Sequence, residues 1–242
     1  MSDNSREAAA MTGTNRFVML LVYLRRFILE TAIMFGTLTL TIWFYAPDIL
    51  SALQIHLHQK LTFFGVMEPV IALLKLSSAT ALALMAPWVA WRVSGALSAV
   101  FGMGRKFALI FALSGLLLFY AGASFCFFIT LPFGINFLLG YQSDILRPVI
   151  SIEKFVDFAG LFLLGFGVIF ELPLIMTLLS RLRIVQYRTF TRHRRYAVLI
   201  IAIMAAALTP TPDVFNMALM GIPLYLLFEA GIIFARLASP GE

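Results

Sequence analysis

Charge is scarce in this chain. Only 12% of its 242 residues are Asp, Glu, Lys or Arg, whereas 61% are apolar; a soluble protein carries roughly a quarter charged residues. That shortage excludes a water-covered globule and leaves lipid as the solvent for most of the surface. Cysteine is scarcer still. Cys126 stands alone, so it can form no intrachain disulfide and has no partner for a thiolate metal site. Also missing are the short alternating segments of a membrane barrel, low-complexity tracts, and any polar stretch long enough to fold as a soluble domain. Histidine offers no chemistry: His56 and His58 share one loop and His193 sits among arginines, none with an acid or thiol at ligand spacing. No catalytic residue, metal site or cofactor is therefore expected. The net charge of +6 comes in short basic segments between apolar runs, the pattern of membrane topology rather than of nucleic-acid binding.

What remains is an all-α integral membrane protein. Against the roughly 20 apolar residues a crossing needs, clear spans run over Phe27 to Tyr45, Val70 to Trp91, Phe107 to Leu131 and Val156 to Leu179. A last apolar block, Ala197 to Phe234, is interrupted by Thr209-Pro210-Thr211-Pro212-Asp213, which no lipid-exposed helix continues through. It divides into two spans with a tight turn, giving six in all, the fifth and sixth short. Residues 1–26 read as a cytoplasmic segment with an interfacial helix, because the run Phe17 to Leu24 is too brief for a signal peptide and Arg25-Arg26 follows it. Residues 27–234 form the membrane domain and 235–242 a cytoplasmic tail. Fourteen of the 18 basic residues fall on one set of loops, and only Lys60, Arg147 and Lys154 on the other. The positive-inside rule then places both termini in the cytoplasm. Two loops on the opposite side, Ala46 to Pro69 and Pro132 to Asp157, could form a cap with short helices.

Four ionisable residues fall in or beside the spans: Glu30, Lys75, Glu171 and Glu229. A salt bridge or an interfacial position accounts for Glu30, and snorkelling to the outer interface accounts for Lys75. Glu229, near the cytoplasmic end of its span, is either an Arg-paired interfacial carboxylate or a functional one. Glu171 differs. It interrupts the stretch Gly160 to Leu179, after Gly165 and Gly167 and before Pro173, so it should face a polar cavity or another helix and serve binding or translocation. The basic run Arg181 to Arg195 suits anionic lipid or an acidic segment of a partner, although orientation alone would account for it.

Several of these residues fall in motifs that resemble one family, TatC, the multispanning receptor subunit of the twin-arginine translocase. Phe166-Gly167-Val168-Ile169-Phe170-Glu171-Leu172-Pro173 is like its FGxxFExP, Leu208-Thr209-Pro210-Thr211-Pro212-Asp213 is like its LTPPD turn with Thr211 added, and Ile222-Pro223-Leu224-Tyr225-Leu226-Leu227-Phe228-Glu229 is like its IPxxxLFE. Lys75 and Pro87 stand twelve apart as the family's lysine and proline do. Leu118-Phe119-Tyr120, Leu131-Pro132-Phe133 and Arg195-Tyr196 also match in order.

The resemblance implies a cup-like six-helix body in a bacterial-type inner membrane, with Glu171 on its concave face. It implies binding of the signal peptides of folded cargo, single-span partners of the TatA and TatB kind, and possible homo-oligomers. It also exposes two departures. Tyr23 stands where the family's N-terminal motif has a glutamate, and Arg105 occupies the position of the glutamate in the first cytoplasmic loop. Guanidinium groups need acceptor carboxylates, and an arginine in that place repels them. Beside the receptor reading, with Glu171, Glu229, Tyr23 and Arg105 as binding positions and Lys75, Pro87, Pro173, Pro210, Pro212 and Asp213 as structural motif positions, stands a second: a TatC-derived scaffold or accessory subunit of another membrane complex. A transporter using Glu171 would need more polar residues in the spans than the sequence has.

Overall fold

With no water in the bilayer core, backbone N–H and C=O groups must bond within their own segment, so apolar runs of this length become helices. The structure, a computed structural model, describes residues 25, 27–57, 61–101, 104–139, 150–208 and 214–238. In chain order the elements are α1 (Phe27–Trp43), α2 (Ala46–Leu57), β1 (Leu61–Thr62), α3 (Glu68–Leu84), α4 (Ala86–Phe101), α5 (Arg105–Phe125), a π-helical turn (Cys126–Thr130), α6 (Leu131–Leu139), β2 (Ile150–Ser151), α7 (Ile152–Phe170), α8 (Leu172–Arg181), α9 (Tyr187–Arg192), α10 (Arg194–Leu208) and α11 (Val214–Ala238). Among these, Lys106–Ile135, Ile152–Arg181 and Met220–Ala238 are each long and apolar enough to cross a membrane. Two bent pairs, α1 with α2 and α3 with α4, raise the candidates to five. Apart from Arg25, the expected N-terminal segment lies outside the described residues, as do Tyr23, Pro210, Pro212 and Asp213.

Three helices differ in extent from the sequence reading. The second run breaks rather than crossing as one rod, with α3 and α4 meeting at 40°. Pro87 has no N–H to give the carbonyl of Ala83 four residues back, and that carbonyl instead accepts a hydrogen bond from Tyr120 Oη on α5 at 3.2 Å. The fifth run gains a turn at its start, to 15 residues, still only about 22 Å at 1.5 Å per residue. The last helix is longer than the short span expected: α11 runs 25 residues through Pro223, and its crossing-competent part is the 19 residues Met220–Ala238.

The two loops expected to form a cap are joined. Leu61 pairs with Ile150 and Thr62 with Ser151 in a parallel bridge. Glu68 ties the same place together, accepting from Phe64 N at 2.7 Å, from Gly65 N at 3.3 Å and from the Ser151 hydroxyl. Ser151 in turn caps α7, its Oγ accepting from Lys154 N at 3.4 Å.

The core centres on α7. Phe158, Phe162, Phe166 and Phe170 recur every four residues and stack as a column, with Phe125 of α5 6.0 Å from Phe166 and 5.7 Å from Phe170. Helices α5 and α7 approach through reciprocal glycine notches. A Cβ on Gly122 would fall 2.6 Å from the Phe166 carbonyl oxygen, and one on Gly167 would fall 2.7 Å from the Phe119 ring. On the far side α8 packs on α11, where Gly231 admits Met176 and Pro173 and Ser180 Oγ donates to Ala235 O at 3.1 Å. Met176, Phe228 and Ile232 form a second apolar cluster there, capped by Phe190 of α9 and by Ala197 and Ile201 of α10.

A side chain at Gly122 cannot be absorbed by rotamer change, because the obstacle is backbone. Gly122→Val is expected to cost about 1–3 kcal/mol, the usual range for overpacking. Gly36→Val, at a glycine with nothing within 4 Å, should be neutral. Cys126 is fully buried, so its labelling by a thiol-reactive dye during heating in detergent reads the difference directly.

Candidate functional site

Pro173 is the second residue of α8 and so contributes no N–H to the ladder. The chain turns once at Glu171, whose N–H closes α7 by donating to Val168 O at 3.1 Å while its carbonyl accepts from Ile175 N at 3.0 Å to start α8. The Glu171 side chain is therefore presented at a break inside an apolar run of 30 residues, Ile152–Arg181. It lies half-buried against α5, over Gly115. A Cβ on that glycine would sit 3.3 and 3.4 Å from the two carboxylate oxygens and 3.1 Å from Leu174 Cδ2. Among the described residues no hydrogen bond or ion pair reaches the carboxylate. Glu30, Lys75 and Glu229, the other three ionisable residues singled out in the sequence, each have a partner, which sets Glu171 apart.

Lys75, read from the sequence as snorkelling to the outer interface, is paired. Its Nζ sits 2.7 Å from Glu153 Oε1 and 2.8 Å from Asp157 Oδ1. Glu153 and Asp157 are four apart on α7, one face of a helix, and Lys75 clamps α3 to it. Glu30 pairs with Arg92 of α4, and that guanidinium also lies over Phe27 at 5.7 Å and Trp88 at 5.2 Å. Glu229 has both oxygens engaged. Arg194 Nη2 lies 2.8 Å from Oε2, and Tyr225 Oη donates to Oε1 at 2.8 Å. Of the two readings open for Glu229, the geometry favours the Arg-paired one. Arg105 is the first residue of α5, and Pro87 lies in the first turn of α4.

Sequence reasoning missed the partners more than the charges. Glu153 and Asp157 fell in what read as loop, so their common helical face was hidden although their spacing was visible. Gly115, which makes room for Glu171, gives no signal in the sequence because a lone glycine in a span has many uses.

A set of apolar helices, several long and apolar enough to cross a membrane, is the architecture of a membrane protein, and at one helix break it carries a half-buried carboxylate with no partner among the described residues. The model of the Sec-independent protein translocase protein family, TatC, matches residues 19–223. The chain is 37% identical over 187 residues to the TatC of Carboxydothermus hydrogenoformans, covering 77% of each. It is 36% identical over 179 residues to that of Desulforapulum autotrophicum, covering 74% of this chain and 66% of the relative. A crystal structure of the twin-arginine translocase receptor TatC in DDM superposes with a TM-score of 0.77 at 25% identity, over 88% of this chain and 97% of that one. The chain belongs to the TatC family, membrane components of Sec-independent protein translocation.

Because Lys75 bridges two carboxylates that would otherwise repel across one helical turn, Lys75→Met should lower the thermal midpoint by several degrees. Lys75→Arg should keep most of it. Adding Glu153→Gln to Lys75→Met is expected to restore part of the loss, measured by the same thiol-labelling melt; no restoration would mean that the pairing does not hold α3 to α7.

Proposed function

We propose that this chain is the receptor subunit of a twin-arginine translocase. In this reading the spans are six, both termini are cytoplasmic, and the signal peptides of folded cargo bind the face that carries Glu171. The observation that carries it is the carboxylate itself: half-buried beside Gly115, without a partner among the described residues, in the stretch Phe158 to Ser180 that holds no other charge. A carboxylate so placed accepts hydrogen bonds from a guanidinium or from the open N–H groups of an inserted peptide. Single-span subunits of the TatA and TatB kind are the expected partners. The membrane is the inner membrane of a bacterial-type cell, and the chemistry is translocation with no covalent step.

One observation favours a second reading. Tyr23 and Arg105 stand where the family resemblance calls for glutamates, and a cationic side chain in the first cytoplasmic loop repels a pair of arginines. A TatC-derived scaffold subunit that no longer reads the twin-arginine motif fits those two positions. The readings separate on discrimination. A receptor should co-purify a twin-arginine precursor at least several-fold better than its lysine-lysine variant; equal recovery of the two supports the scaffold.

Glu171→Gln keeps the size and the helix break but removes the charge. It should leave membrane insertion and the melting point within error while reducing export of a folded twin-arginine reporter at least tenfold. Full export by the variant would reduce Glu171 to packing.

A further inference from the structure

The connection between α8 and α10 carries a concentration of cations. From Arg181 to Arg195 there are six arginines and no acidic residue. Four are engaged locally. Arg181 stacks over Phe107 at 4.0 Å, Arg188 donates to Tyr187 Oη at 3.4 Å, Arg194 meets Glu229, and Arg195 donates to Tyr196 Oη at 3.0 Å. Arg183 and Arg192 are exposed, and neither guanidinium has a hydrogen bond or ion pair among the described residues.

Arg183 also occupies a strained position. Helix α8 ends in a Schellman turn, with Ile184 N donating to Leu179 O at 3.0 Å and Arg183 N to Ser180 O at 3.1 Å. The residue after the cap must then be left-handed, and Arg183 has φ 58°. Glycine or asparagine fits there at less cost. Strain retained by an unpaired cation points to a use for that cation outside the chain. Arg192 is placed with equal economy. Helix α9 buries Phe190 in the cluster of Met176, Phe228 and Ile232, which leaves Arg188 and Arg192, four apart, on its outward side.

The surroundings say what the occupant is. Ile184, next in the chain to Arg183, is 62% exposed, and Tyr196, one turn of chain after Arg192, is 47% exposed, so exposed hydrophobic side chains accompany the free guanidiniums at the ends of two apolar helices. A soluble acidic peptide would leave those side chains in water, whereas a lipid covers them with its acyl chains while its phosphate takes a bidentate guanidinium. We propose that the α8–α10 connection is a binding surface for the headgroup of an anionic phospholipid, held by Arg183 and Arg192.

The test uses the full chain in phosphatidylcholine nanodiscs doped with photoactivatable phosphatidylglycerol or, separately, photoactivatable phosphatidylcholine, with adducts mapped by peptide. Phosphatidylglycerol should label the segment 182–196 several-fold more than phosphatidylcholine, and excess inorganic phosphate should not compete. Arg183→Asn with Arg192→Gln should bring that labelling down to the phosphatidylcholine level while leaving labelling of α11 unchanged, the sign of an intact fold. Arg183→Asn alone should melt no lower than wild type, because it relieves strain. Equal labelling by the two lipids, or a preference that survives the double variant, overturns the proposal. So does competition by free phosphate, or binding of a soluble glutamate-rich peptide in place of any lipid preference.

Discussion

The structure depends on how closely α5 can approach α7. Gly122 lets the Phe166 carbonyl come within what would be 2.6 Å of a Cβ, and Gly167 accepts the Phe119 ring in return. In lipid no hydrophobic force drives helices together, so close packing and matched polar contacts must do it. The crossing fixes the aromatic column of α7 against Phe125, and one turn beyond it brings Gly115 under the Glu171 carboxylate. Move α5 outward and the carboxylate loses the surface that holds it. The Tyr120 bond to Ala83 carries the same constraint across to α3, at the break that Pro87 creates.

The polar contacts divide into those that assemble the body and one that does not. Lys75 with Glu153 and Asp157 joins α3 to α7, Arg92 with Glu30 joins α4 to α1, and Arg194 with Glu229 joins α10 to α11. Each brings opposite charges from different helices to where isolated ones would be costly. Among the described residues Glu171 has no such counterpart, and this contrast, more than its position in a family motif, makes it the candidate for binding.

Most of the fold was legible because lipid leaves so few alternatives. The apolar runs had to be helices, and the Thr209–Asp213 interruption had to end one of them. Glu171 stood out for the same reason, a carboxylate in a run that tolerates none without cause. The break after Leu84 was less legible, since Pro87 sits in an uninterrupted apolar run and a proline in a span can kink, break or do neither. Partner choice was not legible at all. Glu30 bonds an arginine on α4, 62 residues further along the chain, and the two carboxylates on Lys75 are separated from it by about eighty residues of chain. Such pairings are set by which helices touch, and a single sequence holds no record of that. The bridge between Leu61 and Ile150 was hidden likewise, two residues being too few for a strand pattern.

The central claim is that cargo signal peptides bind beside Glu171. A photocrosslinking amino acid at Leu174, the neighbour that shares the Gly115 contact, tests it in inverted membrane vesicles with a radiolabelled twin-arginine precursor. An adduct that forms with the twin-arginine signal and falls away with its lysine-lysine variant is the expected result. No adduct at Leu174, in vesicles that still bind the precursor elsewhere on the protein, would contradict it.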